Sequence, residues 1–293
     1  MKKQHKAESK KDEQKSGAGG KTELVKAPST AVSTAVIDFA ADAGAGLEGA
    51  DRDSFAIPFL AILQPMSPQV VDGEIEGAKA GLFINSVDLT LMESPMVIPC
   101  AFQRRWIRWT PRETGGGYKG EITTAEVNDL RTRGLVKELD GRLYFPEPDG
   151  SVNPKKCDRL ADTRSHFVLI VDGPHAEVGT PAVFALTSTG IKASKNWLSR
   201  IESVKLKVGE RVLPAPSFSR VYQLASLKKQ NDKGTWWTPE VSPVGEVANT
   251  GLYAQAKAFH ASVTAGNVQV AHDTIDESAV SGGGGEGGSS ERF

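Results

Sequence analysis

From Met96 to Gly120 the chain reads MVIPCAFQRRWIRWTPRETGGGYKG. β-branched and aromatic side chains at this density favour an extended strand. No other segment limits the fold as tightly. Met96–Trp109 is read as one long strand, broken or bulged near Pro99, because proline donates no ladder hydrogen bond. Alternation then sorts the side chains. Arg104, Trp106 and Arg108 share one face, and Arg105, Ile107 and Trp109 share the other. Ile107 marks the core side, which leaves Trp106 on the open side between two arginines. The strand runs into Glu113–Gly120, ETGGGYKG, a loop with unusual backbone freedom. It is either a turn between strands or a flap over a ligand with Tyr118 and Lys119 as contacts.

The full chain has 293 residues and a formal net charge of −1. A near-neutral total excludes a globally basic surface, so any nucleic-acid role must come from local patches. Residues 1–50 divide into a lysine-rich arm and an Ala/Gly/Ser/Thr-rich linker, neither with the apolar surface to offset ordering entropy. SGAGGKT within the arm looks like the end of a phosphate loop, but Lys15 stands where the pattern needs glycine and no strand precedes it. Residues 51–266 are expected to form a single β-rich domain. Residues 267–293 read as a disordered, acidic, glycine-rich tail. Cys100 and Cys157 stand apart with no CxxC or Cys/His cluster, which fits a reducing compartment. No apolar run approaches membrane-spanning length, so no membrane partner is expected.

Within the domain, Phe55–Gln64 is an apolar anchor and Gly81–Leu91 carries partial alternation. His166–Asp172 and Pro181–Leu186 read as buried strands. Thr123–Leu139 is helix-compatible, and Gly141–Asp162 reads as a turn-rich insertion. Thr187–Thr189 is expected to cap a helix over Gly190–Ile201. Its apolar stripe includes Trp197, while Lys192, Lys195 and Arg200 face water. Phe218–Leu227 and Trp236–Val244 form a hairpin through Asn231–Gly234, with Trp236 and Trp237 on opposite faces. Gly251–Ala265 is an amphipathic helix with Leu252, Ala256, Phe259 and Val263 on its buried side.

The histidines make no HxH or HxxxH pattern, and no nucleophile motif stands out. No catalytic residue, metal site or cofactor is therefore expected. Asp158 and Asp162, beside Arg159 and Arg164, read as a solvated turn. Binding of single-stranded nucleic acid needs cations for phosphates and aromatic faces for bases. The chain supplies both twice. Arg104, Arg105, Arg108, Arg112 and Lys119 accompany Trp106 and Tyr118; Lys228, Lys229 and Lys233 accompany Trp236 and Trp237. The tail carries Asp276, Glu277 and Glu291 and ends on Phe293. Such acids can occupy a protein's own basic groove, and a tethered aromatic can dock in a partner's pocket.

Segments such as IPFLAILQPMSPQV, AGLFINSVDLTLMES, RRWIRWTPRETGGGYKG, TSTGIKASKNWLSRI and LYAQAKAFHASVTAG resemble a family of phage and prophage proteins. The resemblance covers most of Ile57–Gly266 and is associated with phage single-stranded DNA-binding proteins. It implies an OB-like antiparallel β-barrel within a mainly β chain carrying a few helices (α+β). It also implies a role in replication or recombination within the host cytoplasm. The expectation is thus a non-enzymatic protein that coats single-stranded DNA, with replication or recombination proteins as tail partners and the oligomeric state open. The competing expectation is a virion structural or assembly protein, whose exposed aromatics would be subunit contacts.

Overall fold

Successive side chains of the central strands enter different cores. In β8 (Arg159–Ile170), Phe167 and Leu169 pack into one cluster while Val168 and Ile170 pack into another. A strand buried on both faces reads as a continuous apolar run, which is why the sequence at His166–Asp172 shows little polar alternation. The fold was obtained as a computed structural model that describes residues 45–50, 57–173, 176–232, 234–268 and 270. The expected lysine-rich arm, Lys233 and residues 271–293 of the expected tail, with Asp276, Glu277, Glu291 and Phe293, lie outside the described residues, while Val268 and Val270 at the start of that tail pack against the apolar cluster of Phe167 and Leu169. The described residues from Ala50 onward belong to one compact unit, and a short turn over 45–49 belongs to another.

In chain order the elements are β1 (Leu60–Ile62), α1 (Pro68–Val71), β2 (Phe83–Asn85), β3 (Leu91–Met92), β4 (Met96–Thr110) and β5 (Gly117–Ile122). Then come α2 (Thr124–Thr132), β6 (Lys137–Leu139), β7 (Arg142–Tyr144), β8 and β9 (Thr180–Leu186). The chain continues with α3 (Ile191–Ser203), β10 (Lys205–Val208), β11 (Arg211–Pro214), β12 (Arg220–Asn231), β13 (Gly234–Glu246) and α4 (Thr250–Thr264). The architecture is mainly antiparallel β with a few helices. The large sheet runs β13-β12-β4-β8-β7-β6, with β5 added to β4 and β9 added to β8. Long β4 and β8 therefore serve two halves. Near Val97 and Ile170 their outer neighbours are β12 and β9; near Trp106 and Leu160 they are β5 and β7.

The break expected near Pro99 is a bulge. Pro99 pairs with Val168 and Ala101 with Phe167, so Cys100 is the extra residue. Its carbonyl accepts from Ser217 Oγ at 3.2 Å and lies 2.9 Å from His260 Nδ1. A carbonyl can only accept, so His260 carries its proton on Nδ1. The Cys100 thiol is fully buried, which pushes its pKa up to about 12 and leaves it inert. Cys157 is likewise a free buried thiol.

α4 covers one face of the sheet. Leu252, Ala256, Phe259 and Val263 join Ile98, Cys100, Phe167 and Leu169, as the stripe required. Asn249 caps this helix by accepting from the amides of Gly251 and Leu252. α3 and the small β1-β2-β3 sheet cover the other face through Trp197, Leu60, Ile62 and Phe83. Gly190 occupies the N-cap of α3 and no side chain caps it, because Thr187–Thr189 leads into a preceding 3-10 turn. α2 begins with a capping box between Thr123 and Glu126. The segment read as a turn-rich insertion contains β7 and the start of β8, whose short pairing gives little periodicity to detect.

His166 fastens α3 to β8. Its ring stacks on Trp197 at 4.5 Å, and Nε2 lies 2.8 Å from Ser194 Oγ. Burial, then the nearby Arg164 charge, push its pKa from 6.5 down to about 3. The unfolded ring takes up a proton below pH 6.5, while the folded ring resists until about pH 3. Stability from this group is intact above pH 6.5 and falls as the pH drops toward 3. The thermal midpoint is expected to fall between pH 6.5 and 4.5, and His166→Gln should flatten part of that fall. An unchanged pH slope in the variant would refute the assignment.

Candidate functional site

β4 carries four of the candidate contacts: Arg104, Arg105, Trp106 and Arg108. Ile107 and Trp109 are buried, as expected. Trp106 is buried too, with 8% exposure, which corrects its placement on an open face. α2 and the β6–β7 region fold over it, so it packs with Val127, Val136, Leu143 and Leu160. Its indole Nε1–H donates to Thr124 Oγ1 at 3.3 Å. Guanidinium groups of Arg104 and Arg131 approach the ring at 5.4 and 5.7 Å.

The arginines beside it are neutralised within the fold. Arg104 forms a two-pronged pair with Asp162, from Nε to Oδ1 at 2.8 Å and from Nη2 to Oδ2 at 2.7 Å. That hydrogen bonding raises the Arg104 pKa further. Arg108 pairs with Asp158 at 2.6–2.7 Å and lies 3.9 Å over Phe145. Arg105 lies 3.7 Å from Glu121. Asp158 and Asp162 are not a solvated turn, because the β4–β8 register brings them to the arginines. Arg112 is exposed beside the glycine turn, whereas Tyr118 and Lys119, expected in a loop, belong to β5; Lys119 is exposed and Tyr118 sits edge-on against Trp109 at 6.2 Å. Asp162 also lies 3.7 Å from the buried Arg164. Removing it leaves two guanidinium groups short of an anion. Asp162→Ala is expected to cost about 1–3 kcal/mol in urea unfolding; an unchanged midpoint would contradict this scaffold role.

The β12–β13 hairpin presents the other cluster. Residue pairing sets Lys229 opposite Trp236 and Lys228 opposite Trp237, so each face receives one lysine and one tryptophan. Trp237 packs against the inner core and lies over Gly81. Trp236 faces a cleft of about 460 Å³ between the hairpin and α3. Lys192, Asn196 and Arg200 of α3 line it, with Lys229, Thr238 and Glu240 opposite. Lys192 and Arg200 were expected merely to face water. Only tertiary packing brings them beside Trp236, and no local sequence signal marks that approach. Lys228 and Lys229 are exposed, and neither has an ion pair among the described residues.

The outer edge of β13 is sealed, which positions α3. Trp237, Pro239, Val241 and Pro243 turn their backbone groups away from β12. At Trp237, Gln64 satisfies both the amide and the carbonyl, at 2.9 and 3.1 Å. Pro239 and Pro243 have no amide to expose. At Val241 the carbonyl accepts from Arg200 of α3.

The two basic-aromatic stretches are not two walls of one groove. β12 meets β4 only at Met96 and Val97, the far end of β4 from Trp106. Lys228 lies further out still, roughly 50 Å from Trp106 along the strand path at ~3.3 Å per residue. Among the described residues no cluster of His, Cys, Asp and Glu is arranged to hold a metal ion, and no helix is long and apolar enough to cross a membrane.

The chain matches the sequence profile of the Pam3 phage gp34-like proteins over residues 26–269. It belongs to that phage protein family. The matched span includes the whole large sheet, the α3 cleft and α4. No curated protein and no solved structure matches it.

Gly81 is the local support of the hairpin in this family member. A Cβ there would lie 2.7–2.8 Å from the Trp237 ring, and its φ of +97° already disfavours other residues. Gly81→Ala is expected to destabilise by about 1–3 kcal/mol and to alter Trp237 emission. A variant with unchanged emission and stability would contradict the close contact.

Proposed function

We propose that this phage protein binds single-stranded DNA without catalysing a reaction and coats it during replication or recombination. The observation that carries this reading is the cleft at the β12–β13 hairpin. Trp236 lies there with Lys192, Arg200 and Lys229, and Glu240 is the one acid among the described residues of the lining. A stacking surface beside cations that the fold has not neutralised is what sequence-tolerant binding of a strand requires. Lys228 and Trp237 extend the same hairpin on its other face. Lys233 belongs to the proposal by its place in the sequence, between the two strands of the hairpin. Arg112 at the glycine turn, with Tyr118 and Lys119 on β5, forms a second, smaller contact zone. Arg104, Arg105, Arg108 and Trp106 support the scaffold in this reading. The curled antiparallel sheet is taken as an OB-like platform, with the acidic tail as the segment that meets replication or recombination proteins.

A second reading, a virion structural or assembly protein, is favoured by one feature. The β10–β11 hairpin exposes Leu206, Val208, Val212 and Leu213. Exposed apolar groups so close together suit a subunit contact. Many copies in purified virions would support that reading, and detection only in infected cells would oppose it.

The direct test is titration of the full chain with oligo-dT, followed by tryptophan emission at several salt concentrations. Affinity is expected to fall with salt at a log–log slope near −0.7 per phosphate contact. Exchanging Lys228 and Lys229 for glutamate should weaken binding by roughly tenfold or more. No binding at low salt would overturn the proposal.

A further inference from the structure

We infer that the cleft between α3 and β13 is a seat for a single unstacked nucleotide, with α3 supplying half of its contacts. This rests on the single-stranded DNA reading and adds how one unit of the strand is held. The volume, about 460 Å³, lies within the range of small-ligand sites rather than of a long open channel. Trp236 is the large aromatic face in the lining that is not fully buried, and one platform stacks one base.

Phosphate contacts come from both walls. Lys192 and Arg200 lie on α3 and Lys229 on β12. Arg200 is held in place by the Val241 carbonyl at the sealed sheet edge, so part of its ordering cost is already met in the free protein. Its remaining N–H groups stay available for an anion. One further group suits a base. Asn196 is exposed, has no hydrogen-bond partner among the described residues, and carries both a donor and an acceptor. Free phosphate would use the cations alone, whereas a nucleotide also uses Trp236 and Asn196.

The test uses the full chain and a dT oligomer with one central 2-aminopurine, whose emission reports unstacking and contact with tryptophan. Binding is expected to change that emission, and Trp236→Ala should abolish the change. Lys192→Glu should weaken oligomer binding about tenfold. Asn196→Ala should shift the ratio of affinities for dT and dA oligomers. All three positions line the surface, and circular dichroism checks that the variants fold. If Lys192→Glu and Asn196→Ala bind like the parent while Lys228→Glu, outside the cleft, weakens binding, the single-nucleotide seat is refuted and strand binding stands. If the parent chain binds no oligomer, both fail. If inorganic phosphate competes as well as dTMP, the cleft is an anion site and the inference is overturned.

Discussion

The pairing of β4 with β8 underlies the rest of the molecule. It runs from Val97↔Ile170 to Trp109↔Arg159, interrupted by the bulge at Cys100. Each strand is long enough to take different outer neighbours at its two ends. One half is an apolar sheet covered on both faces by α3, α4 and the small sheet. The other half carries arginines and a tryptophan. The same register that joins the apolar residues also places Asp158 and Asp162 against Arg108 and Arg104. The polar half is held together by matched charges, which bind well only because both partners are fixed by the ladder.

Charge then sorts the candidate surface. A guanidinium already satisfied by a carboxylate has little left to offer a phosphate, and separating the pair would cost desolvated charge. The β4 arginines are of this kind. Lys229 and Lys192 are not, and they stand around the accessible Trp236. Sealing the β13 edge with Gln64, two prolines and Arg200 has two consequences. It blocks edge-to-edge pairing with another sheet, and its Arg200 contact ties α3 to that edge.

Much of the architecture was legible in the chain because local patterns and tertiary packing agree. Alternation assigned Ile107 and Trp109 to the interior, Pro99 marked the bulge, and the stripe of α4 named its buried residues correctly. Trp236 and Trp237 separated as strand geometry demands. Trp106 shows the limit of the same rule. Alternation fixes which face a side chain takes, but not whether another element covers that face. α2 supplies the cover, and its weak apolar pattern gave no sign of where it would dock.

The sequence by itself determined β4, β9, β12, β13 and the apolar end of β8, the two long helices, the likeness to a phage family and the pairing of lysine with tryptophan in the hairpin. These follow from properties that reach only a few residues along the chain: period two, period 3.6, proline and turn chemistry. Tertiary structure decided which charges remain available. Ion pairs join residues such as Arg104 and Asp162, and the cleft joins Lys192 to Trp236, across separations that no local period encodes. A basic-aromatic stretch therefore announces chemistry, and the register of a distant strand decides whether that chemistry faces the protein or the solvent.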